Sequence, residues 1–142
     1  MEKFISCDWG SSTLRLRVVD ATAESVLVES ASDKGIISIF DLWKKYRANE
    51  SERIAFYQRF LTGEISLLEK QLNVSLKNCP VIISGMVSSN IGMKELPYQK
   101  TPFNASDLCI NKIEATENFN HRTILISGAR TDEDVMRGEE TQ

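Results

Sequence analysis

Asp8-Trp9-Gly10-Ser11-Ser12-Thr13-Leu14-Arg15 is the first run in this 142-residue chain whose side chains could do chemistry. A carboxylate closes an apolar stretch, a glycine lets backbone approach a ligand, and three hydroxyl residues follow in succession. Backbone N–H groups and hydroxyls in such a turn donate hydrogen bonds to phosphate oxygens, and an aspartate suits a hard cation such as Mg2+, held directly or through water. The same residues also build an ordinary polar hairpin in which Asp8 bonds its own backbone. A second run, Ser84-Gly-Met-Val-Ser-Ser-Asn-Ile-Gly-Met93, leaves what reads as a buried strand. Its small residues permit a substrate contact; equally they describe a glycine-bounded turn into a short helix, with Met86 and Met93 as core. A third, Asp132-Glu-Asp134-Val-Met-Arg137-Gly-Glu139-Glu140-Thr-Gln142, sets paired carboxylates beside an arginine. That grouping can divide general-base and anion-binding work, or it can form a solvated, charged helical end. With no closing element after it, the terminus reads as one side of a site. His121, in Asn118-Phe-Asn-His-Arg122, reads as a loop residue and is assigned no chemistry.

The elements that must position these runs follow from periodicity. Lys3 to Asp8 is a short buried strand, and Thr13 to Asp20 alternates Leu14, Leu16 and Val18 with Arg15 and Arg17. Ser25 to Glu29 adds a third strand, so an antiparallel meander is expected. Beyond Lys34-Gly35-Ile36 the pattern turns helical, and Ile54, Tyr57, Leu61, Ile65, Leu68 and Leu72 share one face of a long helix with Gly63 as its weak point. Asn49-Glu-Ser-Glu offers that helix a cap and early acids. Pro80 to Ser84 and Thr123 to Ser127 are compact buried strands, each running into Ser-Gly, and Glu95-Leu-Pro97-Tyr98 is a stiff loop. The expected order is β-β-β-α-β, an intervening segment, β and a helical end, which fits an α/β layer structure of the ribonuclease-H-like type.

A length near one domain, seventeen basic against twenty acidic residues and interspersed signs argue against nucleic acid as a partner. Cys7, Cys79 and Cys109 show no CxxC spacing, and with a single histidine they predict buried, reduced thiols rather than a zinc site. No run of about 20 apolar residues and no leader-like amino terminus occurs, which predicts a soluble, cytoplasmic protein without membrane contact.

Asp8 to Arg15, Ser84 to Ser89 and Asp134 to Gln142 together resemble the 2-dehydro-3-deoxygalactonokinases, sugar-acid kinases of the actin, sugar-kinase and Hsp70 superfamily. The family patterns are D-W-G-[ST]-[ST]-x-L-R, S-G-M-V-[GS]-S and D-V-M-R-G-E-E-T-Q, and the last is the most specific. Where the family reads Q-G-W-x-E-A-P-Y, this chain has Ile91-Gly92-Met93-Lys94-Glu95-Leu96-Pro97-Tyr98, lacking an amide and an aromatic near the presumed substrate. The resemblance implies ATP and Mg2+ as cofactors, with Asp8 organising the metal and Gly10, Ser11, Ser12 and Thr13 lining the phosphates. It places Gly85, Met86, Ser88, Ser89 and Arg137 at the sugar acid and Glu139 or Glu140 near the acceptor hydroxyl, so that Asp8, Glu139 and Glu140 are the catalytic candidates. Arg15 either steadies the turn or reaches an anion. It further implies that residues 1–142 form the amino-terminal ribonuclease-H-like domain of a two-domain kinase, with a carboxyl-terminal domain or a homodimer mate as partner and no turnover by this portion alone. The competing expectation is a non-catalytic domain of the same fold that binds a sugar acid or a partner protein.

Overall fold

The computed structural model describes residues 2–46 and 49–136. Strands β1 (Lys3–Trp9), β2 (Leu14–Asp20) and β3 (Ser25–Ser32) form the antiparallel meander expected from the alternation. Helices α1 (Ile36–Tyr46) and α2 (Arg53–Leu72) follow, then β4 (Val81–Gly85), which pairs parallel to β1. After β5 (Gln99–Lys100) and β6 (Ile110–Ile113), strand β7 (Thr123–Ile126) lies parallel to β4, with β6 antiparallel on its outer side. The mixed six-stranded sheet therefore runs β3-β2-β1-β4-β7-β6. A second, small sheet joins β5 to β8 (Ala129–Arg130) in parallel and β8 to β9 (Val135–Met136) in antiparallel fashion.

One face of the large sheet carries the core. Ile5, Cys7 and Trp9 of β1 and Leu14, Leu16 and Val18 of β2 are fully buried, as are Val81, Ile83 and Leu125. Their alternates Phe4, Ser6, Asp8, Val19, Ile82 and Ile124 are only half-buried, so the period-two pattern resolves inside from outside. Against the packed face α2 sets Tyr57, Leu61, Ile65 and Leu68, while Ile54 and Leu72 pack partly buried at its ends. Asn73 ends the helix in the left-handed conformation (φ 52), and Glu69 receives the N–H groups of Val74 on its carbonyl and of Leu76 on its carboxylate. Gly63 does not interrupt it, and a Cβ there would meet nothing within 4 Å. Among the described residues no helix is long and apolar enough to cross a membrane.

Five expectations are corrected. The helical region beyond Gly35 is two helices: Ile36, Ile39 and Trp43 bury the face of α1, whose last turn carries Lys44 and Lys45 at the negative end of its dipole. Asn49 precedes a single 3-10 turn, Glu50–Glu52, and makes no side-chain cap there or to α2. The intervening segment contributes β5 and β6, too short and too polar to announce themselves. Residues 129–136 are strands joined by a turn rather than a helical end. There the Thr131 hydroxyl accepts the N–H groups of Glu133 and Asp134, and the Asp134 carboxylate accepts that of Val135 (2.8 Å). Such local bonds offer the backbone an alternative to a helix. The three cysteines are free thiols, but only Cys7 is fully buried; Cys79 and Cys109 are half-buried.

Candidate functional site

Because β1, β4 and β7 are parallel, their carboxyl ends lie on one edge of the sheet, where ligands of α/β proteins bind. The register pairs Asp8 with Ser84 and Trp9 with Gly85. Across the hairpin Asp8 pairs with Arg15, so Arg15, Asp8 and Ser84 form one row on the half-open face. Two of the three sequence runs are therefore brought together.

The turn after β1 is shaped by the helix that follows the meander. The Gly10 N–H closes it on the Thr13 carbonyl at 2.9 Å, and the first N–H groups of α1, from Ile36 and Ile37, bond the carbonyls of Gly10 (2.9 Å) and Ser11 (3.1 Å). With the Gly10 and Ser11 carbonyls turned into α1, the turn keeps the N–H groups of Ser11, Ser12 and Thr13 without an intramolecular partner among the described residues. Ser12 and Thr13 are exposed and Ser11 half-buried. That is an anion-receptive arrangement of backbone and hydroxyl donors. Gly35 makes it possible, since a Cβ there would lie 2.3 Å from the Ser11 carbonyl oxygen. Trp9 anchors the turn from below: its indole N–H donates to the Lys34 carbonyl (2.8 Å), and its ring meets Tyr57 edge-on at 5.7 Å.

The second run leaves β4 through Gly85, whose φ of +100 puts it in a region that side chains avoid. Met86–Ser88 form one 3-10 turn, so the short helix anticipated after the glycine is present. Ser88 and Ser89 are buried, and their hydroxyls donate to the carbonyls of Gly85 (3.4 Å) and Met86 (2.6 Å). Of the residues assigned to the sugar acid here, Met86 is half-buried and Gly85 fully covered; the neighbouring Asn90, not among them, is exposed. Gly92 passes so close to Val87 that a Cβ would stand 2.0 Å from its carbonyl oxygen. Met93 is 1% exposed, which makes it a core residue, one of the two readings open for this run.

Sequence reasoning missed the groups that hold this loop. Arg53 donates from Nε to the Gly92 carbonyl (2.8 Å) and from Nη2 to the Asn90 carbonyl (2.6 Å), while the Tyr57 hydroxyl donates to the Ile91 carbonyl (2.5 Å). Their one sequence signal is the four-residue spacing at the start of α2. Burial pushes the Tyr57 phenol up to about 12, partly offset by the nearby Arg53 charge. The Cys7 thiol is raised well above its ordinary value by burial and further by the Asp8 charge, which makes it an inert core group. His121 is buried, with Nδ1 2.8 Å from the Cys79 carbonyl oxygen and its ring against Phe119; it ties the 114–122 segment to β4's entry.

Of the third run, Asp132 pairs with Lys100 at 2.6 Å on the surface. Arg137, Glu139 and Glu140 lie outside the described residues.

Comparison with known proteins bears on what this edge serves. A family model described as 2-keto-3-deoxy-galactonokinase matches residues 8–142. The chain is 28% identical to the 2-dehydro-3-deoxygalactonokinase of Escherichia coli (strain K12) over 145 residues, covering 99% of this chain and 41% of that protein. It is 26% identical to the "Probable 2-dehydro-3-deoxygalactonokinase DgoK1" of Rhizobium meliloti (strain 1021), covering 98% and 40%. Its fold is similar to a solved structure from Sinorhizobium meliloti described as "a putative 2-dehydro-3-deoxygalactonokinase protein", with a TM-score of 0.67, 23% identity, 96% of this chain covered and 40% of the other. The chain thus spans about two-fifths of the length of the relatives it matches.

Proposed function

Because the chain belongs to the 2-keto-3-deoxy-galactonokinase family, we propose that it supplies one side of a sugar-acid kinase cleft, the side that receives the phosphates of ATP and the acceptor. The reaction is transfer of the γ-phosphoryl group to the terminal hydroxyl of 2-dehydro-3-deoxygalactonate or a close 2-keto-3-deoxy sugar acid, giving the 6-phosphate. The observation that carries this is the 10–13 turn, in which the Gly10 and Ser11 carbonyls are bonded into α1 while the N–H groups of Ser11, Ser12 and Thr13 have no partner among the described residues. The β-β-β meander followed by helix and parallel β4 supports reading the domain as ribonuclease-H-like. On that reading residues 1–142 are the amino-terminal domain, and the adenosine pocket belongs to the remaining three-fifths of the relatives' length.

Phosphoryl transfer depends mainly on positioning and on stabilising charge. Asp8 fits Mg2+ chemically: one half-buried carboxylate at a strand end suffices for a cation that keeps waters and takes phosphate oxygens as its other ligands. When bound, Mg2+ neutralises developing phosphate charge. The Ser11, Ser12 and Thr13 donors orient the phosphates, and the 85–92 loop orients the acceptor. Asp8, Glu139 and Glu140 remain the carboxylates from which the base is drawn, with Arg137 as the partner of the acceptor's charge.

Two measurements test this. In the 15N-labelled chain MgATP should shift the Ser11, Ser12 and Thr13 amides foremost. In a chain continued to the relatives' length, a coupled assay should detect ADP release that requires the sugar acid, and Asp8→Asn should lower kcat by about 100-fold or more. A folded long chain that binds the sugar acid without turnover would instead establish the non-catalytic alternative.

A further inference from the structure

We propose that Arg53 and Tyr57 are positioning residues that clamp the 90–92 backbone, so that the side-chain amide of the exposed Asn90, rather than the Ser88 and Ser89 hydroxyls, contacts the polyol of the acceptor. The identity of the acceptor rests on the kinase reading; the clamp itself rests on geometry alone. Three successive carbonyls, of Asn90, Ile91 and Gly92, each accept a hydrogen bond from α2. These bonds add to the loop's own, from the Gly92 N–H to the Ser89 carbonyl and from the Leu96 N–H to the Ser88 carbonyl, both 2.9 Å, and each removes freedom that the loop would otherwise have. Both donors are themselves held. The Arg53 side chain is 15% exposed, bonds Glu50 through Nη1 at 3.0 Å and lies over the Phe40 ring at 5.5 Å. Tyr57 is fully buried and packs edge-on against Trp9, the residue between Asp8 and the phosphate-receptive turn. A single side chain therefore touches both halves of the site, fixing the loop relative to the turn.

The serines are poorly suited to the role that Asn90 fills. Ser88 is 0% and Ser89 6% exposed, and each hydroxyl proton is already directed to a backbone carbonyl of the turn. Asn90 is an exposed residue with its main-chain oxygen held by Arg53, and its side-chain amide has donors and an acceptor for the hydroxyl and keto groups of a sugar acid.

The test uses the 15N-labelled 142-residue chain, with 2-dehydro-3-deoxygalactonate and MgATP as separate probes. Asn90→Ala should weaken the sugar acid at least about fivefold, the loss of one hydrogen-bonding group, while Ser88→Ala and Ser89→Ala change it less. Tyr57→Phe, which keeps the ring, should speed amide exchange of the 91–94 segment by roughly five- to tenfold and weaken the sugar acid at least about twofold, the MgATP shifts at Ser11 to Thr13 staying as they were. Arg53→Lys, which keeps the charge but loses the fork, should do the same. A stability defect alone would weaken both probes together. Unchanged loop exchange in Tyr57→Phe, or sugar-acid affinity that follows Ser88 and Ser89 instead of Asn90, overturns the proposal and leaves the kinase reading intact. A parent chain that shifts with MgATP but at no residue with the sugar acid refutes the acceptor reading, and this inference with it.

Discussion

Alanine placed at two glycines should move stability in opposite directions, and the structure sets the size of each effect. Gly85 has φ +100 and ψ −152, a conformation essentially reserved for glycine. An added Cβ would stand 2.6 Å from the Trp9 carbonyl oxygen, 3.0 Å from its carbon and 3.3 Å from Asp8 Oδ1. Backbone strain costs about 1–3 kcal/mol, and overpacking against main chain that cannot swing aside adds roughly 1–3 kcal/mol. Gly85→Ala should therefore cost about 2–6 kcal/mol, a large share of the ~5–15 kcal/mol that holds a domain folded. At this chain length 1 kcal/mol corresponds to about 3 °C in Tm, so a fall of roughly 6–18 °C is expected. Gly63 lies inside α2 with nothing within 4 Å of an added Cβ, and there alanine should stabilise by about 0.5–1 kcal/mol, or ~2–3 °C. Thermal unfolding followed by circular dichroism at 222 nm measures both. A Gly85→Ala chain melting within 2 °C of the parent, on the order of the smallest shift expected for the control, would refute the claim that β4 must leave the sheet through a glycine against β1.

The Lys34 ammonium is the ion-pair partner of Glu64 at 2.9 Å, and the Glu64 side chain is only 3% exposed. Lys34→Met should cost about 1–3 kcal/mol by leaving that carboxylate buried, and adding Glu64→Leu should recover much of the loss in chemical denaturation. Tyr57 should ionise well above the ordinary phenol range: absorbance at 295 nm should show a step near pH 12 that is absent in Tyr57→Phe. Since its folded value is raised, the neutral phenol's contribution to stability is complete below about pH 10 and is lost as pH rises towards 12. Cys7 should resist an aromatic disulfide reagent until the chain unfolds, whereas Cys79 and Cys109, half-buried, should react first.

Alternation in Leu14 to Val18 and the three-and-four spacing from Tyr57 to Leu68 made the meander and α2 legible, because a single buried face imposes its period on the residues that fill it. The short strands β5, β6, β8 and β9 left no such mark; two to four residues are too few for a period, and each is defined by its partner, β6 by β7 and β5 and β9 by β8. For the same reason the charged run from Asp132 onward read as a helical end, although Thr131 and Asp134 turn its described part. The site divides in the same way. Asp8, Gly10 to Thr13 and Ser84 to Ser89 stand out because their residue types are those that hold phosphate or let backbone come close, and such types are written locally. What only the tertiary structure decided is which groups face outward and what holds them: α1 takes the Gly10 and Ser11 carbonyls, Arg53 and Tyr57 take those of the 90–92 loop, and Ser88 and Ser89 are turned inward while Asn90 remains exposed. Hydrogen bonds across 34 to 39 positions leave no periodic trace. Composition and local spacing determine which elements form and what chemistry they carry, but the direction of a donor is set only when a distant element packs against it.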